Sequence, residues 1–227
     1  MPERITDPKH PEGLTTSQKD LAIQLIDIHA VKFGDFRLKL HEQHPDAPLS
    51  PIYIDLRMLR RDPKAKGYAV EEYALLVRFI KFDLLADVPT AATPLVSSLS
   101  DRLGVGMITP RTDSKGHGTG AKIDGLLPKD VGKKAILIDD LITRADSKIE
   151  AVDVLRAQGL KVEDVVVLID REQGGKEQLE QKGLKLHSVF TMQQLLNFYR
   201  RVEIISETQY QDTVQRIQQL NSFLGVT

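Results

Sequence analysis

The residues best suited to chemistry lie in one stretch, 134–148, which reads KAILIDDLITRADSK. An apolar run, 135–138, precedes two adjacent acids, Asp139 and Asp140, and a turn of small and polar residues leads into an amphipathic helix. An apolar run of this length bounded by polar residues is typical of a buried parallel strand. Ligands of open α/β sheets bind at the carboxyl ends of such strands. The stretch therefore predicts a strand, an acidic pair, an anion-binding turn and a helix, in that order.

The turn after the acidic pair, residues 143–147, is predicted to bind phosphate and is called the phosphate loop below. A turn that opens a helix presents backbone N–H groups that have no partner within the helix, and these groups bind anions. Ionised carboxylates only accept hydrogen bonds, so Asp139 and Asp140 suit the hydroxyl groups of a sugar.

Length and composition favour one α/β domain over residues 15–227, after a loose, Pro-rich arm at 1–14. The formal net charge of the 227-residue chain is -1, so the charge balance predicts no attraction to nucleic acid or to a membrane surface. The absence of cysteine excludes disulfides and thiol chemistry and is consistent with a cytoplasmic protein. No apolar run is long enough to span a bilayer.

The rest of the chain alternates between strand and helix patterns. Capping residues at 15–17 predict a helix that presents Leu21 and Leu25 on one side. Alternating runs at 33–40 and 52–56 predict a hairpin. Further strands are predicted at 84–88, 105–109, 135–138, 162–169 and 184–190, and further helices at 64–82, 147–158, 176–182, 192–200 and 207–223. This alternation predicts an α/β fold with a mostly parallel sheet flanked by helices.

Three stretches of the chain resemble a known family. The Asp-Asp pair with its Thr-containing turn resembles the phosphoribosyl pyrophosphate (PRPP) motif of type I phosphoribosyltransferases. Residues 50–57, SPIYIDLR, and 168–191, LIDREQGGKEQLEQKGLKLHSVFT, are similar to orotate phosphoribosyltransferase, notably the form in bifunctional UMP synthases. The resemblance runs from about residue 20 to the C-terminus. The long second stretch is far more specific than a single short motif.

The resemblance implies transfer of phosphoribose from PRPP to orotate, which yields orotidine monophosphate and pyrophosphate, with Mg²⁺ as cofactor. It also implies a type I phosphoribosyltransferase fold, with the N-terminal hairpin as a hood over the strand ends. Members of the family are usually homodimers, so a homodimer is expected here by resemblance.

The resemblance assigns the family's binding roles to matching positions of this chain. It assigns no protein residue as a metal ligand. The residues that the resemblance assigns to PRPP are Lys39, Asp139, Asp140, Thr143, Arg144, Ala145, Asp146 and Ser147. Tyr53 and Arg171 are assigned to orotate, and the planar guanidinium of Arg171 suits its carboxylate. The alternative for Arg171 is an ion pair with a neighbouring acid, and the alternative for Lys39 is a surface lysine on a hairpin.

The Gly-rich segment 110–125 carries the residues assigned to catalysis, Arg111, Lys115 and His117. In the family this segment closes over PRPP. Cations there stabilise the charge that develops on the leaving pyrophosphate, and closure excludes water. The alternative is a flexible polar loop without a catalytic role.

Four residues depart from the family pattern at positions that contact PRPP: Asp87, Thr112, Ala145 and Asp146. The family usually has Gly at the position of Asp87 and Lys at the position of Thr112. Asp146 brings a carboxylate to the phosphate loop, and repulsion from a dianion about 5 Å away is about 2 kcal/mol in bulk water. Arg144 offsets part of this repulsion if its side chain turns inward.

Two of the departures have structural alternatives. Asp87 either helps to position a hydrated Mg²⁺ or is a plain acid at the end of a strand. Ser147 and Glu150 have the spacing of a capping box, and Asp146 favours a helix N-terminus. A helix that caps itself in this way does not need a phosphate.

Three functional hypotheses follow. The first is an active orotate phosphoribosyltransferase. The second is a degenerate relative that binds a nucleotide or a protein partner without catalysis, which the four departures motivate. The third is a doubly wound nucleotide-binding domain of another class, which is disfavoured because neither a Gly-rich dinucleotide motif nor a Walker loop occurs.

Overall fold

The computed structural model describes residues 13–42, 44–111 and 122–226. The predicted catalytic residues Lys115 and His117, and the departure at Thr112, lie outside the described residues. The chain forms two compact units, one made of residues 1–65 and 190–227 and the other of residues 66–189.

The described part of the chain contains seven α-helices and eight strands. The helices are α1 (Thr16–Asp27), α2 (Pro63–Val77), α3 (Thr93–Leu103), α4 (Asp146–Ala157), α5 (Gly175–Gln181), α6 (Met192–Arg201) and α7 (Glu207–Phe223). The strands are β1 (Val31–Phe36), β2 (Ser50–Ile54), β3 (Leu84–Asp87), β4 (Met107–Pro110), β5 (Ile123–Asp124), β6 (Lys134–Ile142), β7 (Lys161–Asp170) and β8 (Lys185–Thr191). None of the helices among these residues is long and apolar enough to cross a bilayer.

The predicted N-terminal hairpin is confirmed: β1 and β2 pair antiparallel, with Phe33 opposite Ile52. The prediction that its first strand reaches residue 40 was wrong, because the chain turns into a short 3-10 helix at Lys39–Glu42. The Nδ1 atom of His41 accepts the backbone N–H of Leu38 at 2.8 Å. This side-chain contact satisfies an amide that would otherwise need a strand partner.

The first unit has its own buried contacts. The hydroxyl of Tyr199, on α6, is buried and donates to the carbonyl oxygen of Ala22, on α1, at 3.0 Å. The ring of Phe33 meets the Tyr199 ring edge-on at 6.1 Å. On the surface, Arg216 of α7 donates to Asp35 at 2.5 Å. Helices from both ends of the chain are therefore joined to the hairpin.

The second unit is built on a six-stranded sheet in the order β5-β4-β3-β6-β7-β8. Strands β3, β4, β6 and β7 run parallel, whereas β5 pairs antiparallel with β4. The predicted mostly parallel sheet flanked by helices is therefore confirmed. Strand β5 was not predicted, because a two-residue strand shows no periodicity in the sequence.

Strand β6 extends further than its apolar run. The prediction placed the acidic pair after the strand, but Leu141 pairs with Ile169 and Ile142 with Asp170, so both acids lie within β6. The strand passes through them because the charge of Asp139 is compensated inside the fold by a lysine, as described below.

Candidate functional site

The carboxylate of Asp139 is buried and paired with a lysine that the sequence analysis did not single out. Its Oδ2 atom accepts a hydrogen bond from the Nζ atom of Lys148, in the first turn of α4. The two side chains are 6% and 5% exposed. The Oδ1 atom accepts the backbone N–H of Asp140 at 2.8 Å. Both oxygens of Asp139 are thus used within the protein.

The same strand end is held by a buried tyrosine. The hydroxyl of Tyr73, on α2, donates to the carbonyl oxygen of Asp139 at 2.7 Å. Burial and the two neighbouring acids raise the pKa of Tyr73, so the hydroxyl keeps its proton and remains a donor. Three elements, α2, β6 and α4, therefore position the acidic pair.

Asp140 is the more accessible member of the acidic pair. Its Oδ1 atom accepts the N–H of Leu141 at 2.7 Å. Burial is the largest cause that raises the pKa of Asp140 from its ordinary value of 3.8 to about 7, and the neighbouring Asp139 adds to this effect. Lys148 opposes the rise only in part. The charge of Asp140 therefore changes near neutral pH.

The phosphate loop ends at the start of α4, and no side chain caps this helix. Ala145 occupies the capping position and α4 begins at Asp146, so the capping box of Ser147 and Glu150 that the spacing suggested is not formed. Because the helix begins one residue earlier than predicted, Ser147 lies inside its first turn. The backbone N–H groups of that turn therefore have no side-chain acceptor from the cap position.

Asp146 does not fold back onto the phosphate loop. Its side chain is exposed and makes no hydrogen bond or ion pair with any residue in the described ranges. It lines a groove on the outer side of α4 together with Ile149, Glu150 and Asp153. A carboxylate in this position does not occupy the backbone amides that a phosphate group would use.

Asp87 is a fully buried acid at the end of β3. One carboxylate oxygen accepts the hydroxyl of Thr93, and the other accepts the hydroxyl of Thr109. The alternative in which Asp87 positions a hydrated Mg²⁺ does not fit this arrangement, because both oxygens already accept hydrogen bonds away from solvent. Asp87 links α3 and β4 to β3.

Arg111 lies at the end of β4, where the described chain stops before resuming at residue 122. Its side chain is exposed and forms a two-point ion pair with Asp124 of β5, at 2.9 and 2.7 Å. Its backbone N–H donates to the carbonyl oxygen of Lys122 at 2.8 Å. These contacts join the two ends of the Gly-rich segment and place a cation at its base.

Arg171 follows β7 directly, and its backbone N–H donates to the carbonyl oxygen of Ile142 at 3.0 Å. The residue is 7% exposed. Burial lowers the pKa of the Arg171 guanidinium to about 10, which still leaves it protonated at neutral pH. The end of β7 therefore carries a positive charge at low dielectric, where its attraction for a carboxylate is stronger than in water.

Tyr53 and Lys39 belong to the first unit. Tyr53 lies on β2, is partly exposed, and its ring centre is 5.5 Å from that of Phe36. The backbone of Lys39 opens the short 3-10 helix after β1. Their assignments to orotate and PRPP stay predictions.

Comparisons with known proteins place this geometry in a family. Over 198 residues the chain is 35% identical to an orotate phosphoribosyltransferase of Pyrobaculum aerophilum, and the match covers 86% of this chain and 97% of that protein. The chain belongs to the orotate phosphoribosyltransferase family. No family model matches the chain.

Two longer relatives agree with this membership. The chain is 34% identical over 210 residues to uridine 5'-monophosphate synthase of Bos taurus, with 90% of this chain and 41% of that protein covered. The structure of Leishmania donovani UMP synthase matches with a TM-score of 0.77 and 36% identity, over 89% of this chain and 42% of that chain. The chain thus spans about two fifths of the length of these two relatives.

A relative of similar length to this chain supports the same fold. The crystal structure of orotate phosphoribosyltransferase from Aeropyrum pernix matches with a TM-score of 0.69 and 28% identity, over 82% of this chain and 99% of that chain. The predicted type I phosphoribosyltransferase fold is therefore confirmed.

Within this orotate phosphoribosyltransferase fold, sequence reasoning missed Lys148 and Tyr73. A signal for Lys148 was present: it lies on the buried face of α4 with Val152 and Leu155, at helical spacing. A lysine on an apolar face needs a partner, and the nearest conspicuous acids are the Asp-Asp pair. Tyr73 gave no such signal, because a tyrosine in an apolar helix pattern is ordinary core.

Gly175, the first residue of α5, packs against the phosphate loop, and we expect its replacement by alanine to displace that loop. A Cβ atom there would lie 2.6 Å from Cγ1 of Ile142 and 2.9 Å from the carbonyl oxygen of Thr143. Overpacking of this kind costs about 1 to 3 kcal/mol of unfolding free energy. Chemical denaturation should show this loss for Gly175→Ala, together with weaker PRPP binding.

Gly67→Ala is the matched control, because a Cβ at Gly67 meets no atom within 4 Å and the residue lies inside α2. Alanine is the better helix former, so this variant should be as stable as the parent or gain up to about 1 kcal/mol. Equal stability of Gly175→Ala and the parent protein would contradict the packing described for α5.

Proposed function

We propose that this protein is an active orotate phosphoribosyltransferase that transfers phosphoribose from PRPP to orotate and releases pyrophosphate. The observation that carries the proposal is the partly exposed Asp140 carboxylate, next to a helix α4 that no side chain caps. The chain's 35% identity to the orotate phosphoribosyltransferase of Pyrobaculum aerophilum, 97% of which it covers, supports the choice of reaction.

Asp140 and the start of α4 have separate roles toward PRPP. An ionised Asp140 accepts hydrogen bonds from the ribose hydroxyls, and Asp139, tied to Lys148, fixes the backbone that carries it. The 5′-phosphate binds to the backbone N–H groups of the first turn of α4, where the helix dipole favours negative charge. The Thr143 hydroxyl is a further donor in the phosphate loop.

The transfer needs stabilisation of a leaving anion. A ring nitrogen of orotate forms a bond to the anomeric carbon of the ribose, and the bond from that carbon to the pyrophosphate oxygen breaks. The proton that this ring nitrogen gives up is balanced by protonation of the released pyrophosphate. The negative charge that develops on pyrophosphate is stabilised by the cations of the Gly-rich segment. Arg111 is the first of these cations along the chain. Arg111 must exchange its exposed ion pair with Asp124 for this contact, at a small cost because surface pairs contribute about 0 to 1 kcal/mol.

Arg171 supports the choice of orotate as the base. Orotate differs from neutral bases by its carboxylate, and a buried guanidinium pairs with a carboxylate through two parallel hydrogen bonds. A neutral pyrimidine has no carboxylate to form this bidentate pair. The protein should therefore prefer orotate to uracil.

We propose Mg²⁺ as the cofactor, carried mainly by PRPP. The described residues contain no cluster of three or more metal-ligating side chains, and the Asp87 oxygens are already used. A metal that keeps several waters and binds substrate phosphates needs few protein ligands, which is the usual chemistry of Mg²⁺. When bound, Mg²⁺ neutralises charge on the pyrophosphate group.

The same family membership is the basis for proposing a homodimer. Sedimentation or light scattering of the purified protein should give twice the mass of the 25.4 kDa chain. A monomeric mass at assay concentration would contradict this part of the proposal and leave the chemistry of the site unchanged.

The transferase is favoured over a non-catalytic relative because of where Asp146 and Asp87 lie. Asp146 is exposed and does not occupy the helix amides, and Asp87 is sequestered by two threonine hydroxyls. Neither side chain therefore blocks the groups that would bind phosphate. No described contact favours a protein-binding role instead.

Calorimetric titration tests the proposal. PRPP with Mg²⁺ is expected to bind with a dissociation constant below about 1 mM, and orotidine monophosphate is expected to bind without Mg²⁺. Absence of PRPP binding by the folded protein would overturn the proposal. Binding of orotidine monophosphate alone would instead indicate a nucleotide-binding relative.

A further inference from the structure

Helix α5 lies against the phosphate loop. Gly175 at its start has no side chain, which allows the backbone of α5 to approach Ile142 and Thr143 closely. One turn later, the Oε1 atom of Gln178 accepts the backbone N–H of Ala145 at 2.7 Å. The loop is thus held from the side of α5 at two points.

The hydrogen bond from Ala145 fixes the orientation of a peptide group next to α4. Ala145 is fully buried and is the residue that directly precedes the helix. Its N–H points to Gln178 and is unavailable to a phosphate, whereas its carbonyl oxygen accepts the N–H of Ile149 at 2.9 Å. The peptide group before the Cα atom of Ala145 is therefore held by Gln178, and the peptide group after it is held by α4.

We infer that Gln178 is a positioning residue for the 5′-phosphate, acting through the Ala145 peptide rather than by contact with the ligand. This inference rests on the proposed function, because it assumes that the start of α4 binds the 5′-phosphate. Without the Gln178 oxygen, the buried N–H of Ala145 loses its acceptor, and the loop must rearrange or admit water to satisfy it. Rearrangement redirects the amides that follow in α4.

Gln178 also lies seven residues after Arg171, but the two act on different parts of the site. The backbone of Arg171 is held by its own hydrogen bond to Ile142 at 3.0 Å. Loss of the Gln178 contact should therefore affect the phosphate end of a ligand and not its base. A general loss of stability would instead weaken the binding of both ends of the ligand.

The variant to test is Gln178→Met, which keeps the length of the side chain and removes the acceptor. The KM for PRPP should rise about tenfold, equivalent to about 1.4 kcal/mol, while kcat and the KM for orotate should stay within about twofold. In calorimetry, orotidine monophosphate should bind about tenfold more weakly, and orotidine, which lacks the phosphate, should bind as it does to the parent protein.

Gln181→Met is the matched control, because Gln181 lies on the same helix and is exposed. It should behave like the parent protein in every assay, and thermal unfolding should show that both variants are folded. Unchanged binding of orotidine monophosphate by Gln178→Met, or equal weakening of both ligands, would overturn the inference. Failure of the parent protein to bind orotidine monophosphate would refute the proposed function instead.

Discussion

Replacement of Asp140 by asparagine is expected to remove most of the transferase activity and, at the same time, to stabilise the fold above pH 7. Hydrogen bonds to an ionised group contribute about 1.5 to 3 kcal/mol each. If Asp140 accepts hydrogen bonds from two ribose hydroxyls as proposed, loss of its charge should lower kcat/KM for PRPP roughly 100-fold or more. Steady-state kinetics at saturating orotate measures this loss.

The stabilising half of this prediction follows from the raised pKa of Asp140. Between its ordinary pKa of 3.8 and the folded value of about 7, the folded protein holds a proton that the unfolded chain has released. The free energy of unfolding therefore falls as pH rises through this window and is lowest above pH 7. The full difference in pKa corresponds to at most about 4 kcal/mol, and we expect about 1 to 3 kcal/mol because the buried environment relaxes in the variant.

The control for Asp140→Asn is Asp153→Asn, since Asp153 is an exposed acid on α4. This control should leave both kcat/KM and the free energy of unfolding nearly unchanged. In the parent protein the KM for PRPP should rise as pH falls from 8 to 6, because Asp140 is protonated, and this dependence should be absent in Asp140→Asn. Full activity of Asp140→Asn would show that the ribose is held elsewhere.

Replacement of Lys148 by methionine is expected to have the largest effect on stability. The ammonium of Lys148 and the carboxylate of Asp139 are both nearly inaccessible, at 5% and 6% exposure. Removal of one partner leaves a buried charge without compensation, which costs about 3 to 5 kcal/mol. Urea denaturation of Lys148→Met should show a loss of this size, and PRPP binding should weaken because the acidic pair is displaced.

A second variant separates the charge from the packing. The double variant Lys148→Met with Asp139→Asn removes both charges, so most of the lost stability should return. Lys182→Met, at an exposed lysine, should change the free energy of unfolding by less than about 0.5 kcal/mol. If Lys148→Met is as stable as the parent protein, the buried ion pair does not hold the site together.

The sequence predicted the position of the acidic pair and of Arg171 because both follow apolar runs that could only be buried strands. Parallel strands bring their carboxyl ends to one edge of the sheet. The sequence alone therefore predicted that the acidic pair and Arg171 lie close together. The C-terminal end of β6 could not be predicted from the sequence, because the continuation of the strand through Asp139 depends on the ion pair with Lys148. The only sequence signal for an ion pair between a strand and the next helix is a lysine at a position where the helix pattern expects an apolar residue.

The contacts around the phosphate loop were harder to predict for a related reason. Gln178 is 33 residues from Ala145, and its hydrogen bond arises from the tertiary packing of α5 rather than from any local pattern. The spacing of Ser147 and Glu150 favoured a capping box, but the helix starts at Asp146 and the box is absent. Local spacing was therefore misleading about where α4 begins.

The most direct test of the proposed transferase is the formation of product. The protein should be incubated with orotate, PRPP and Mg²⁺, and orotidine monophosphate and pyrophosphate should be quantified together, with Asp140→Asn as the blank. We predict equal amounts of both products, dependent on orotate and reduced at least about 100-fold in the variant. Pyrophosphate without orotidine monophosphate, or no product from protein that binds PRPP, would contradict the assignment of this chain as an orotate phosphoribosyltransferase.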